Sequence, residues 1–233
     1  MIAMVLAAGR GERLRPLTDE TPKSLVEVRG EMLLERHLRA LREAGVETVV
    51  INLGWLGEQV FERIGSGARY GLDVVYSNEG DNILETGGGI PRALPMLGSD
   101  PFLVVNADIY TDMPFAGIGL GDRDLAHLVL VPTPADKDRG DFALSAGRVR
   151  NAGEELLTFS GVAVYRPEFF AACQPGRFSV VPMLRAAEGF LASHTIRGIF
   201  RRNNPEPCER YATFATSMFW GTCWSLLRSL PRR

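Results

Sequence analysis

The chain opens on an apolar run, Ile2-Ala3-Met4-Val5-Leu6, which passes directly into Ala7-Ala8-Gly9-Arg10-Gly11-Glu12-Arg13-Leu14. The run reads as a buried first strand. A glycine-rich turn leaving a strand puts backbone N–H groups where an anionic phosphate can sit. Arg13 inside the turn, and Lys23 after Thr21-Pro22, add mobile positive charge. Together these residues predict a site for a nucleoside triphosphate. The spacing excludes the two commonest phosphate motifs: no G-x-x-x-x-G-K-S/T run exists, and Leu14 stands where the dinucleotide fingerprint needs its third glycine. A dinucleotide-dependent oxidoreductase is therefore set aside. An ordinary strand–turn connection with solvated charges is the competing reading.

The rest of the first half alternates strand and helix signals. Leu33, Leu34, Arg36, His37, Leu38 and Leu41 repeat at helical spacing, and Gly45 closes that helix. Val49-Val50-Ile51 reads as a strand, 55–64 as a helix, 72–76 as a strand, 87–97 as a helix and Phe102-Leu103-Val104-Val105 as a strand. This rhythm implies an α/β fold with a mostly parallel sheet covered on both faces. After about residue 112 the pattern shifts to strands at 126–131 and 156–165, with a hairpin around Ala146-Gly147. Ligands in open α/β sheets lie beyond the carboxyl ends of the strands, so the loops after Leu6, Tyr76 and Val105 should meet at one site.

Composition narrows the partners. A net charge of −2 argues against nucleic acid. No apolar run reaches membrane-spanning length, and the start lacks a basic leader, so a cytoplasmic protein is expected. Cys173, Cys208 and Cys223 lack metal-ligand spacing and read as reduced thiols.

Three further stretches carry chemistry. Asn106-Ala107-Asp108 follows a strand directly, where an Asp either holds Mg²⁺ beside phosphate oxygens or caps the next turn. Leu84-Glu85-Thr86-Gly87-Gly88-Gly89 precedes a helix; Thr86 is a plausible N-cap, and the glycines allow close approach of a flat ligand. Arg139-Gly140-Asp141 lies in a mixed charge run and reads equally as a solvated loop. His37, His127 and His194 show no catalytic context, and neither Ser160 nor Cys173 has a base in a nucleophile arrangement.

The stretch from Leu6 to Leu14 with Pro22-Lys23 resembles the signature of the sugar-1-phosphate nucleotidyltransferases, a strand followed by L-A-A/G-G-x-G-x-R-L/M and then P-K. The Glu85-Thr86-Gly87-Gly88-Gly89 form is nearest in pattern to the bacterial N-acetylmuramate α-1-phosphate uridylyltransferases, with mannose-1-phosphate guanylyltransferases as the alternative. The resemblance implies a Rossmann-like three-layer fold with a mixed, mostly parallel sheet over residues 1–198, a nucleotide half to about residue 111 and a sugar half beyond it. It implies transfer of a nucleotidyl group from UTP to a sugar 1-phosphate, releasing pyrophosphate, with Mg²⁺ as cofactor, in recycling of cell-wall sugar. Arg13, Lys23 and Asp108 would be catalytic, Asp108 holding the metal. Leu6, Ala7, Ala8, Gly9, Gly11, Glu12 and Glu85 to Gly88 (Glu85, Thr86, Gly87, Gly88) would bind nucleotide; Asn106 and Asp141 would bind the sugar phosphate. An extra cation for the muramate carboxylate would be Arg139 or Arg92.

Two departures stand out. Ser24 replaces the residue usual after P-K. The late W-x-D-V/I-G-T segment, whose Asp is the second metal ligand in relatives, has no counterpart after Gly198, where the chain reads Ile199-Phe200-Arg201-Arg202-Asn203-Asn204-Pro205-Glu206. Three readings are open: a shifted reading frame, an oxygen supplied by Glu206 or an Asn, or a protein that binds nucleotide with impaired turnover.

Overall fold

A computed structural model of the 233-residue chain describes residues 1–135, 137–195 and 200–202. Strand β1 (Ile2–Leu6) leads through the glycine turn to a short helix α1 (Leu17–Glu20) and a small hairpin of β2 (Glu27–Val28) and β3 (Glu31–Met32). Helix α2 (Leu33–Glu43), strand β4 (Thr48–Leu53), helix α3 (Gly57–Ile64) and strand β5 (Asp73–Asn78) follow. Helix α4 (Glu85–Leu97) returns the chain to β6 (Phe102–Asn106) and β7 (Ile109–Thr111). The second half contributes β8 (Ala126–Val131), the hairpin β9 (Ala143–Ser145) and β10 (Arg148–Arg150), β11 (Thr158–Tyr165), helix α5 (Val181–Ala186), β12 (Leu191–Thr195) and β13 (Phe200–Arg202).

Nine strands form one sheet in the order β5-β4-β1-β6-β11-β8-β12-β10-β9. The pairs β5–β4, β4–β1, β1–β6 and β12–β8 are parallel, and the others are antiparallel. The sheet is thus mixed, its parallel run lying in the first half. The chain leaves β1 toward β4 and β5, then crosses back to β6 on the other side of β1. That reversal is a topological switch point, and the crevice at the carboxyl ends of β1 and β6 is where such sheets bind ligands.

Alternation along the central strands builds two cores. Ala3, Val5, Val49, Ile51, Leu103 and Val105 face a cluster with Leu34, Leu38 and Leu41 of α2 and Val60 and Ile64 of α3. Met4, Val50, Phe102 and Val104 face the other way, against Ile90, Ala93 and Leu97 of α4 and Leu184 of α5. A strand apolar at every position supplies both faces, so helices cover the sheet on both sides. No helix among the described residues is long and apolar enough to cross a membrane.

Two predicted helix starts move. Helix α3 begins at Gly57, because the Trp55 N–H donates to the Ala8 carbonyl at 3.3 Å and Leu56 takes a left-handed φ of 53°. Helix α4 begins at Glu85, and Thr86 is not its cap: the Thr86 hydroxyl accepts the Val180 N–H at 3.2 Å instead.

Candidate active site

The loops after β1, β5 and β6 close around a cleft of about 1000 Å³. Its walls include Leu6, Ala7, Ala8, Gly9, Gly11, Glu12, Arg13, Lys23, Glu85, Thr86, Asn106 and Asp108, all singled out in the sequence.

The glycine turn is braced from outside. The Ala7 N–H donates to Asn52 Oδ1 at 2.6 Å, and the Thr18 hydroxyl donates to the Gly11 carbonyl at 2.9 Å. The Trp55 indole donates to the Thr18 carbonyl at 2.9 Å, and the Arg10 guanidinium lies 4.9 Å from the centre of the Trp55 ring. Gly54 permits this packing, since a Cβ there would stand 2.7 Å from the Ala8 carbonyl oxygen. Gly11 has a left-handed φ of 65°, and its missing Cβ leaves room for Thr18 and the stem of Lys23. Gly9 differs: it lines the cleft, and a Cβ there would meet no protein atom within 4 Å.

Lys23 opens a tight 3₁₀ turn after Pro22 and reaches across the cleft. Its Nζ donates to Asp108 Oδ2 at 2.7 Å, with side chains 13% and 26% exposed. The ends of β1 and β6 are tied where Ala107 N–H donates to the Leu6 carbonyl at 3.1 Å. Behind Asp108, His37 Nε2 donates to the Ile109 carbonyl at 3.0 Å. Burial pushes the His37 pKa down to about 4, against the opposing pull of that hydrogen bond, so the ring is neutral at physiological pH. His37 therefore ties α2 to the start of β7, one residue beyond the acid. Asn106 lies against Gly161, whose left-handed φ of 87° falls in a bulge of β11; a Cβ there would come 2.4 Å from Asn106 Nδ2.

The three glycines opening α4 make room for neighbouring protein segments. A Cβ on Gly87 would stand 2.3 Å from the Phe178 ring, and one on Gly88 would stand 1.9 Å from the Gly176 carbonyl oxygen. On Gly89 it would meet Glu79 Oε1 at 2.6 Å. Gly87 and Gly88 thus lie beneath the segment 176–178, not in the cleft wall. That segment is laced to them, with Gly87 N–H donating to the Phe178 carbonyl and Phe178 N–H to the Leu84 carbonyl. Glu85, in front of them, holds a left-handed φ of 60° and accepts a bond from Arg177 Nε at 2.8 Å.

Asp141 lies outside the cleft wall, where its Oδ2 accepts Lys137 Nζ at 2.7 Å and the Phe159 N–H at 2.9 Å. Arg92 donates to the Asn78 carbonyl, and neither it nor Arg139 lines the cleft, whereas Arg10 and Arg177 do. His127 and His194 pair with each other across β8 and β12, at 2.8 Å. No group of three or more His, Cys, Asp or Glu side chains among the described residues is arranged to hold a metal. Of the segment expected to carry a second metal Asp, Phe200–Arg202 form β13 against β7, while residue 199 and residues 203–233, Glu206 among them, lie outside the described residues.

The pattern of the nucleotidyl transferase family matches residues 2–125. An N-acetylmuramate alpha-1-phosphate uridylyltransferase of Neisseria meningitidis serogroup B is 47% identical over 79% of this chain and 84% of its own length. The protein of the same name from Caulobacter vibrioides is 37% identical over 85% of this chain and 90% of its own. Among solved structures, the inositol-1-phosphate CTP transferase of T. maritima superposes with a TM-score of 0.70 at 17% identity, covering 94% of this chain and 96% of that one, and so shares the fold. A glycine turn at the switch point, facing a Lys–Asp pair, in a chain this similar to those proteins leaves one conclusion: it belongs to the nucleotidyl transferase family, in its sugar-1-phosphate branch.

Proposed function

We propose that the protein transfers the uridylyl group of UTP to N-acetylmuramate α-1-phosphate, giving the UDP-sugar and pyrophosphate, as a cytoplasmic step in recycling cell-wall sugar. The observation that carries this reading is the contact between Lys23 and Asp108 at the switch point, in the cleft that Gly9 also lines. The names of the two uridylyltransferases similar over most of the chain support the choice of base and sugar.

The attacking group is a phosphate monoester, already largely ionised at neutral pH with a second pKa of about 6. No general base is needed. The barrier lies in bringing two anions into line and in stabilising the departing pyrophosphate, so positioning and electrostatics supply the catalysis. Backbone N–H groups of residues 8–12 cradle the triphosphate. Arg13 stabilises the leaving pyrophosphate, and Lys23 neutralises the phosphate under attack. Asn106, held over Gly161, meets the sugar phosphate.

Mg²⁺ fits the donor set. A single carboxylate beside substrate phosphates is a coordination this ion accepts, and the Asp108 carboxylate is partly exposed in the cleft. Asp108 would hold the ion, which when bound neutralises phosphate charge and aligns its oxygens.

Pyrophosphate release from UTP, GTP, CTP and dTTP, each offered N-acetylmuramate α-1-phosphate, mannose 1-phosphate and glucose 1-phosphate, tests the reading. Turnover is expected to be highest with UTP and the muramate ester. Preference for GTP with mannose 1-phosphate overturns it.

A further inference from the structure

Asn52 and Glu79 line the cleft at 3% and 8% exposure, yet the reaction above gives them no part. Three hydrogen bonds run through them. Ala7 N–H donates to Asn52 Oδ1 at 2.6 Å, Asn52 Nδ2 donates to Glu79 Oε1 at 2.7 Å, and Leu84 N–H donates to Glu79 Oε2 at 2.7 Å. A carboxylate only accepts, so the Asn52 amide must turn its NH₂ toward Glu79 and its oxygen toward Ala7. The chain of bonds therefore has one direction. It crosses the sheet at the strand ends: Ala7 follows β1, Asn52 lies in β4, Glu79 follows β5, and Leu84 precedes α4.

We propose that Asn52 and Glu79 are positioning residues that lock the triphosphate turn to the loop facing the base, fixing the separation at which one nucleotide engages both. The proposal rests on the nucleotide reading of the preceding section. Two observations favour it over a packing role. An acid beside a cleft for anions repels the ligand it faces, so its presence there calls for another purpose. In addition, Gly89 is shaped to the pair, since its missing Cβ leaves the space in which Glu79 Oε1 and Asn52 Nδ2 meet. It follows that the Ala7 N–H is already engaged, and the anion cradle begins at Ala8.

The two residues can be exchanged in polarity. Asn52→Asp alone sets two carboxylates face to face. Glu79→Gln alone leaves one donor facing another in every arrangement of the two amides. In the double variant Asn52→Asp/Glu79→Gln, the new carboxylate at position 52 accepts from Ala7 N–H and from the new amide at position 79. The oxygen of that amide accepts Leu84 N–H, so every bond returns, the middle one with its sense reversed. Calorimetric binding of Mg²⁺–UTP and of Mg²⁺–tripolyphosphate, with thermal melting of the same proteins, tests this. Each single variant is expected to lose about tenfold or more in UTP affinity, the scale of one unsatisfied buried group. The double variant should return to within about threefold of the parent in affinity, with its melting temperature restored. Glu79→Gln should keep tripolyphosphate binding within about twofold, because that probe engages the turn alone. Losses that multiply in the double variant overturn the proposal, as does an equal loss for both probes. A parent protein that binds no nucleotide overturns the functional reading instead, while the melting temperatures still decide whether the two residues act as a linked pair.

Discussion

Acid should destabilise this protein through His37 in a window that a single substitution isolates. The ring is 1% exposed, and its Nε2 donates to the Ile109 carbonyl at 3.0 Å. Burial lowers its pKa from 6.5 to about 4. Between those values the unfolded chain binds a proton that the folded one refuses, so stability rises with pH there. The contribution is complete above about pH 6.5 and is lost as the pH falls toward 4. The linkage relation gives a loss of about 2 kcal/mol between pH 7.5 and pH 5, approaching about 3 kcal/mol below pH 4. Urea unfolding at pH 7.5, 6 and 5 measures it, with His37→Gln as reference. Glutamine offers the Ile109 carbonyl the same kind of N–H donor and does not titrate. Subtracting the two profiles removes every other group, including His194, whose pKa is also lowered by burial and by the neighbouring His127. Equal pH dependence in both proteins would refute the reasoning, because it would mean that the buried imidazole takes up its proton without cost.

Lys23→Ala should lower turnover by about a hundredfold or more in the pyrophosphate-release assay, as loss of a preorganised charge contact does; unchanged turnover removes Lys23 from the mechanism. Gly9→Ala should leave the melting temperature unchanged or slightly raised while weakening Mg²⁺–UTP binding by at least about tenfold, since its Cβ meets no protein atom and Gly9 lines the cleft. Gly88→Ala should do the reverse in melting, costing about 1–3 kcal/mol because its Cβ runs into the Gly176 carbonyl. Chelating divalent cations with EDTA should abolish pyrophosphate release, and added Mg²⁺ should restore it.

The parallel half of the fold was legible because its signals are local. A strand apolar at every position, such as Ile2–Leu6, and helices with apolar residues at 3.6 spacing need no distant partner to be read. The glycine turn and Asp108 were legible because each lies in a loop leaving a strand, and topology alone brings strand ends together; Lys23 was legible as a cation shortly after the turn. What stayed hidden depends on contacts between distant segments. The glycines of α4 look like ligand-facing residues until the segment around Phe178 is seen pressed against them, some ninety positions away in the chain. Thr86 fits an N-cap by type, but tertiary structure gives its hydroxyl to Val180. Asn52 offered one clue, a polar residue directly after the apolar run Val49-Val50-Ile51, and Glu79 offered none. Thr18 and Trp55 brace the turn through bonds that no short-range pattern encodes.

The crowding at the start of α4 bears on how such an enzyme acquires a new donor nucleotide. Three successive positions admit no side chain, and each is closed by a different neighbour: an aromatic ring, a peptide carbonyl and a buried acid. On the reading proposed above, side-chain variation along this wall of the cleft is open upstream, between Asp81 and Thr86, where residues line the cleft. A library confined to those six codons samples the freedom the scaffold permits, whereas one extended to Gly87, Gly88 and Gly89 mostly samples destabilised protein.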